Sequence, residues 1–128
     1  MHAHLSGFAM PPDAAVVKAA ASLRLLSDPT RMKILWALAQ GESNVGCLAE
    51  LAGVAPAAVS QHLAKLRLAN LVTTRREGTF VFYAVADRHV VRLLASAVDH
   101  AAHDDADVAL AVAALTSTAV DTDGATAR

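Results

Sequence analysis

Val45-Gly46-Cys47-Leu48-Ala49-Glu50-Leu51-Ala52-Gly53-Val54-Ala55-Pro56-Ala57-Ala58-Val59-Ser60-Gln61-His62-Leu63-Ala64-Lys65-Leu66 decides how this chain folds. Val45 to Leu51 reads as a short helix with apolar Leu48 and Leu51. Gly53 to Pro56 breaks it, and Pro56 opens a second helix, since proline is pre-set for the first helical turn. Val59, Leu63 and Leu66 stand at i, i+4 and i+7, the spacing of a buried stripe. A short helix, a glycine-containing turn and a second helix make a helix-turn-helix.

Working outward, Leu71 to Arg76 and Thr79 to Val85 are β-rich runs around Glu77-Gly78, which reads as a hairpin. Upstream, Ser27-Asp28-Pro29-Thr30 is a helix start. The helix after it turns Met32, Ile34, Leu35 and Leu38 inward and stops near Gly41. Asp13 to Leu26 reads as an earlier helix, with Ala20, Leu23 and Leu26 at helical spacing. Asp87 caps a long helix from about Arg88 to His103. The expected fold is mainly α with a small β-hairpin wing: a winged helix-turn-helix, dimeric through packed terminal helices. Residues 1–12 are expected to form a flexible arm and 13–104 the domain. Residues 105–128 are expected to form an alanine-rich tail, with a helical turn or two before a disordered end from Asp121.

Composition narrows the function classes. The chain has 128 residues, enough for one domain, and 55% of them are hydrophobic. It has no apolar run of membrane-spanning length. Met1 to Pro12 lacks the basic start and apolar core of a secretory signal. A single cysteine, Cys47, excludes an intrachain disulfide and suits a reducing cytoplasm. The net charge of −1 hides a split. Lys65, Arg67, Arg75, Arg76, Arg88 and Arg92 lie in the middle, against Glu77 and Asp87 only. Asp99, Asp104, Asp105, Asp107, Asp121 and Asp123 make the end acidic.

In a helix-turn-helix the second helix enters the major groove. Ser60, Gln61 and His62 could meet base edges there. Lys65 and Arg67, with Arg75 and Arg76 on the wing, could neutralise phosphates. A helix pair around a glycine is common and the cations also read as solvated charges; the hairpin directly after the pair favours DNA.

The last long helix carries Asp87, His89, His100 and His103. Eleven residues turn a helix through about 1100°, so His100 returns within about 20° of His89, and His103 falls within about 40°. All three share a stripe, yet His89 and His100 are about 16 Å apart along the axis. One helix therefore cannot close a metal site. Two antiparallel copies can, giving two equivalent sites per dimer. Val90, Leu93, Leu94 and Ala97 supply apolar surface for that packing. One carboxylate and three imidazoles suit Zn(II) or Co(II), or Ni(II) if further ligands join. Taken alone, His100 and His103 also read as solvated helix residues. His2 and His4 read either as tail residues or as two additional ligands. A metallohydrolase is disfavoured, because four protein ligands close the site to water.

Leu26-Ser27-Asp28-Pro29-Thr30-Arg31-Met32-Lys33-Ile34-Leu35 resembles the opening of the ArsR/SmtB family of metal-sensing repressors. So do Val59 to Leu66, Asn70-Leu71-Val72 and the wing ending in Tyr83. The resemblance covers roughly residues 14–103. It implies a homodimer that binds operator DNA and is released by Ni(II), Co(II) or Zn(II) bound at Asp87, His89, His100 and His103. Pro56 and Ala57 depart from polar residues frequent in the family, and Asn70 from a frequent glycine. The family's alternative thiolate pair has no counterpart, since Cys47 is alone; Cys47 is expected as a small core residue. The rival expectation is a winged-helix regulator without metal input, governed by another ligand or a partner protein.

Overall fold

The computed structural model describes the backbone of residues 6–126 and the side chains of residues 6–117. In chain order it has α1 (Asp13–Leu26), α2 (Pro29–Ala39), α3 (Val45–Ala52), α4 (Pro56–Leu68), β1 (Val72–Glu77), β2 (Phe80–Val85), α5 (Arg88–Ala102) and α6 (Ala106–Thr126).

Local chemistry sets the boundaries. Asp28 is the N-cap of α2; its carboxylate accepts the Arg31 N–H at 2.9 Å, and Pro29 follows in the first turn. Asn44 caps α3 in the same way, accepting the Cys47 N–H at 2.9 Å. Gly53 ends α3 at φ 71°, a left-handed conformation that glycine adopts without steric cost. Three residues later Pro56 starts α4, so the two helices of the motif are joined by a tight turn. Asn70 also has positive φ, 60°. Asparagine tolerates this region better than most residues, which explains how it fills a position where the family often has glycine.

The core joins α2, α3, α4, the base of the hairpin and α5. Ile34, Leu35, Leu48, Val59, Leu63, Leu66 and Leu94 are fully buried. Each such side chain contributes about 1.5–3 kcal/mol. The stripe Val59, Leu63, Leu66 lies inward as expected, and it turns the opposite face of α4 to solvent. β1 and β2 pair antiparallel, Val72 with Val85 through Glu77 with Phe80. The hairpin is tied to the rest by a bridge: the Tyr83 N–H donates to the Ser43 carbonyl at 2.8 Å and the Ser43 N–H to the Tyr83 carbonyl at 3.0 Å.

α1 spans the expected residues, whereas the C-terminal stretch differs from expectation. α1 buries only Leu26, and Leu23, placed at a core-like spacing, is 54% exposed. Val16 and Val17 are exposed beside it. The stretch after Asp104 is not limited to a turn or two of helix. It forms the 21-residue α6, which lies against α5 and α2 and buries Leu115 completely. An alanine-rich helix shows little periodic signal in sequence; its partner surface on α5 and α2 makes it fold. Among the described residues no helix is long and apolar enough to cross a membrane.

Candidate nucleic-acid interface and metal-ligand stripe

α4 presents Ser60, Gln61, Ala64, Lys65, Arg67 and Leu68 to solvent, opposite its buried stripe. Between α4 and the wing runs a groove lined by Ser60, Ala64, Arg67, Leu68, Asn70 and Tyr83. Ser60 and Arg67 are candidate DNA contacts from sequence, whereas Asn70 and Tyr83 enter the sequence reading only through the family resemblance. Tyr83 could have been found from strand alternation, since it falls two residues from Val85, on the same face of β2.

Two expected DNA contacts are placed otherwise. His62 is half-buried, and its Nδ1 is sealed from solvent with no hydrogen-bond partner. It lies near enough to Asp28 to affect that carboxyl. Asp28 titrates below its ordinary value of 3.8, chiefly through the Arg31 N–H, with smaller help from His62 and the Arg31 charge and opposition from desolvation. The helical period explains this placement: His62 stands three residues after Val59 and four before Leu66, beside the buried stripe.

Arg75 is occupied by neighbours on the protein. Its Nε donates to both Glu42 carboxylate oxygens, at 2.8 and 3.0 Å, and Nη2 also reaches Glu42. Its Nη1 donates to Glu77 at 2.8 Å, and its guanidinium carbon lies 4.7 Å from the Phe82 ring centre. Hydrogen bonds from Arg75 hold the Glu42 carboxyl below the usual range, and Glu42, then Glu77, push the Arg75 pKa upward. Arg76, the next residue, points to the other face of the strand and forms no ion pair among the described residues.

The histidines of α5 are outward. With His89 as origin, His100 lies about 20° away and His103 about 40°, while core residues Val91 and Leu94 lie about 160° and 140° away. Val91 is 3% exposed and Leu94 fully buried, whereas His89, His100 and His103 are exposed. Leu93, 40% exposed, shares the histidine face with Ser96. Val90 and Leu94, expected to serve packing between copies, are instead buried within this chain. Leu93 and exposed Ala97 are what remains for that purpose.

Asp87 is the N-cap of α5. Its Oδ1 accepts the N–H groups of His89 at 2.9 Å and Val90 at 3.3 Å, and lies 3.4 Å from His89 Nδ1. The cap engages one oxygen, so the carboxylate retains a second for other use. His103 Nε2 lies 3.4 Å from Asp104 Oδ1. Among the described residues of a single chain, no three His, Cys, Asp or Glu side chains converge as metal ligands. The donor types suit a divalent transition metal, and their spread along α5 prevents them from closing a site within one copy. His2 and His4 lie outside the described residues. Cys47 is an exposed free thiol and not a core residue. Val45, Leu48, Ala49 and Ala52 form the inward stripe of α3, and this period leaves Cys47 and Leu51 outside it.

Comparison with known proteins bears on this arrangement. Residues 28–74 match the family model described as bacterial regulatory protein, arsR family. The chain is 48% identical over 92 residues to the HTH-type transcriptional regulator KmtR of Mycobacterium tuberculosis, covering 72% of this chain and 71% of that protein. It is 37% identical over 98 residues to the HTH-type transcriptional repressor SmtB of the same organism, covering 76% and 73%. Among solved structures it resembles a homodimeric winged helix-turn-helix DNA-binding domain from Mycobacterium bovis. That match has a TM-score of 0.63 at 34% identity, over 75% of this chain and 95% of the other.

Proposed function

This chain belongs to the ArsR family of bacterial regulatory proteins and is a winged helix-turn-helix transcriptional regulator, not an enzyme; on that premise we propose that it is a homodimeric, cytoplasmic repressor released from operator DNA by Ni(II), Co(II) or Zn(II). Ser60 and Gln61 read base edges, while Lys65, Arg67 and Arg76 meet phosphates. The dimer forms through apolar surface that the chain leaves uncovered: Val16, Val17 and Leu23 on α1, and Leu93 on α5. The family resemblance and the homodimeric relative support that assembly.

The observation that carries the metal assignment is the histidine stripe on the face of α5 opposite the core. Core packing gives no reason for three histidines at this period on an outer face. In a dimer joined along α5, Asp87 and His89 of one copy would hold the ion with His100 and His103 of the other. A bound ion supplies a link between the two copies; the side chains fix where that link is made. Asp87 keeps its capping role with one oxygen and offers the other.

Cobalt(II) titration of the apo protein, followed by visible absorption, tests this. Intense d–d bands saturating at two ions per dimer, and abolished in His100→Ala, are expected for a tetrahedral site. Weak bands at that stoichiometry would indicate more ligands and bring in His2 and His4. No saturable binding would leave a winged-helix regulator with another inducer.

A further inference from the structure

We propose that Arg75 is a positioning residue that clamps the wing to the loop between α2 and α3 through Glu42, and that it is not a phosphate contact. This rests on the DNA-binding function proposed above and refines the role of one wing arginine.

Two independent features join the wing to that loop. The first is the backbone bridge between Ser43 and Tyr83. The second is the fork of Arg75 on Glu42, the residue immediately before Ser43. Arg75 is further held from its own strand by Glu77 and from the paired strand by Phe82, its cross-strand partner. A planar guanidinium suits this geometry, since it grips one carboxylate with two nitrogens and lies on an aromatic ring with its face. The cation is thereby matched by two carboxylates. An incoming phosphate would have to displace Glu42 and would meet its negative charge. Arg76, on the opposite face of β1, carries no such partners among the described residues. Asn44, two residues after Glu42, caps α3. The clamp therefore fixes the wing relative to the helix-turn-helix. A wing released from it must be ordered when DNA binds, which weakens binding.

The two roles for Arg75 make opposite predictions for Glu42. Removing an acid near a phosphate-binding arginine strengthens DNA binding, whereas removing half of a clamp weakens it. The probe is a fluorescent duplex of about 30 base pairs, long enough for two half-sites, selected by wild-type protein from a random-sequence pool. Binding is measured by anisotropy across a salt series for wild type, Arg75→Ala, Arg75→Lys, Glu42→Gln and the Arg75→Ala/Glu42→Gln double variant. Arg75→Ala and Glu42→Gln are each expected to weaken binding about five-fold, the upper end for an exposed pair. The double variant is expected to be no weaker than either single one. Arg75→Lys, which keeps the charge and loses the fork, is expected to bind as weakly as Arg75→Ala. The slope of log affinity against log salt should stay within about 0.3 of wild type, because no phosphate contact is lost. A slope reduced by about 1.8 in Arg75→Ala, about 0.9 for each copy in the dimer, or tighter binding by Glu42→Gln, overturns the proposal. Failure of wild type to enrich any duplex overturns the DNA-binding function itself, a separate outcome.

Discussion

His89 and His100 occupy one outward face of α5, about three turns and 16 Å apart, with the core residues Val91 and Leu94 on the far side of the same helix. A helix with the proposed ligands on one side and core on the other cannot move them independently of the domain. Linking two such helices therefore fixes the relative placement of two reading heads. If this face joins two copies, the apolar residues beside it and on α1 must hold them together. Val17→Asp with Leu23→Asp should convert the protein to a monomer. Both side chains are more than half exposed, so the variant should keep its helical content. Sedimentation velocity with circular dichroism checks this; a dimer persisting in the double variant would place the interface elsewhere.

The exposed face of α4 predicts a division of labour on DNA. Gln61→Ala should cost about 1–3 kcal/mol for each half-site of the selected duplex and relax base preference at one position of each. Arg67→Ala should weaken all duplexes alike and reduce the salt slope by about two, one for each copy in the dimer. Competition binding against single-base variants of the duplex separates the two.

Asp28 predicts a pH-dependent contribution to stability. Its carboxylate is held below 3.8 mainly by the Arg31 N–H that it caps. A depressed carboxyl stabilises the fold above its unfolded value and loses that effect as pH falls through the folded value. Asp28→Ala should therefore cost about 1 kcal/mol at neutral pH. The difference from wild type should shrink steadily below about pH 4. Urea denaturation at several pH values reads both.

Leu115 tests whether α6 belongs to the folded domain. It is fully buried although the helix around it is mostly alanine and small polar residues. Leu115→Ala should cost about 2–5 kcal/mol, the range for a core leucine. A loss below about 0.5 kcal/mol would mean that α6 packs weakly.

Where the partner of a side chain lies within a few turns, the sequence was readable. The Val59, Leu63, Leu66 stripe, the Asp28-Pro29 start and the hairpin turn are all local patterns, and each formed, the turn at Gly78-Thr79, one residue later than the expected Glu77-Gly78. What escaped depends on distant partners. Glu42 and Arg75 are 33 residues apart, so nothing local to the wing shows that Arg75 is already paired. His62 stands on α4 close enough to Asp28, from another element, to act on its carboxyl. Cys47 departs from expectation for a different reason: the inward period of α3 leaves position 47 outside, and position, not residue type, decides its exposure. The outward histidines were found because their period is as regular as that of a core stripe. α6 had no such period to show.

The central claim is that metal held by the α5 stripe and operator DNA oppose each other, and the most direct measurement is the affinity for the selected duplex with and without saturating Ni(II), in wild type and in His100→Ala. Release by metal requires that the metal weaken wild-type binding by about ten-fold or more, that DNA weaken metal binding by the same factor, and that His100→Ala bind the duplex normally but ignore the metal. Unchanged affinity at saturating metal, or an equal response from His100→Ala, would contradict it.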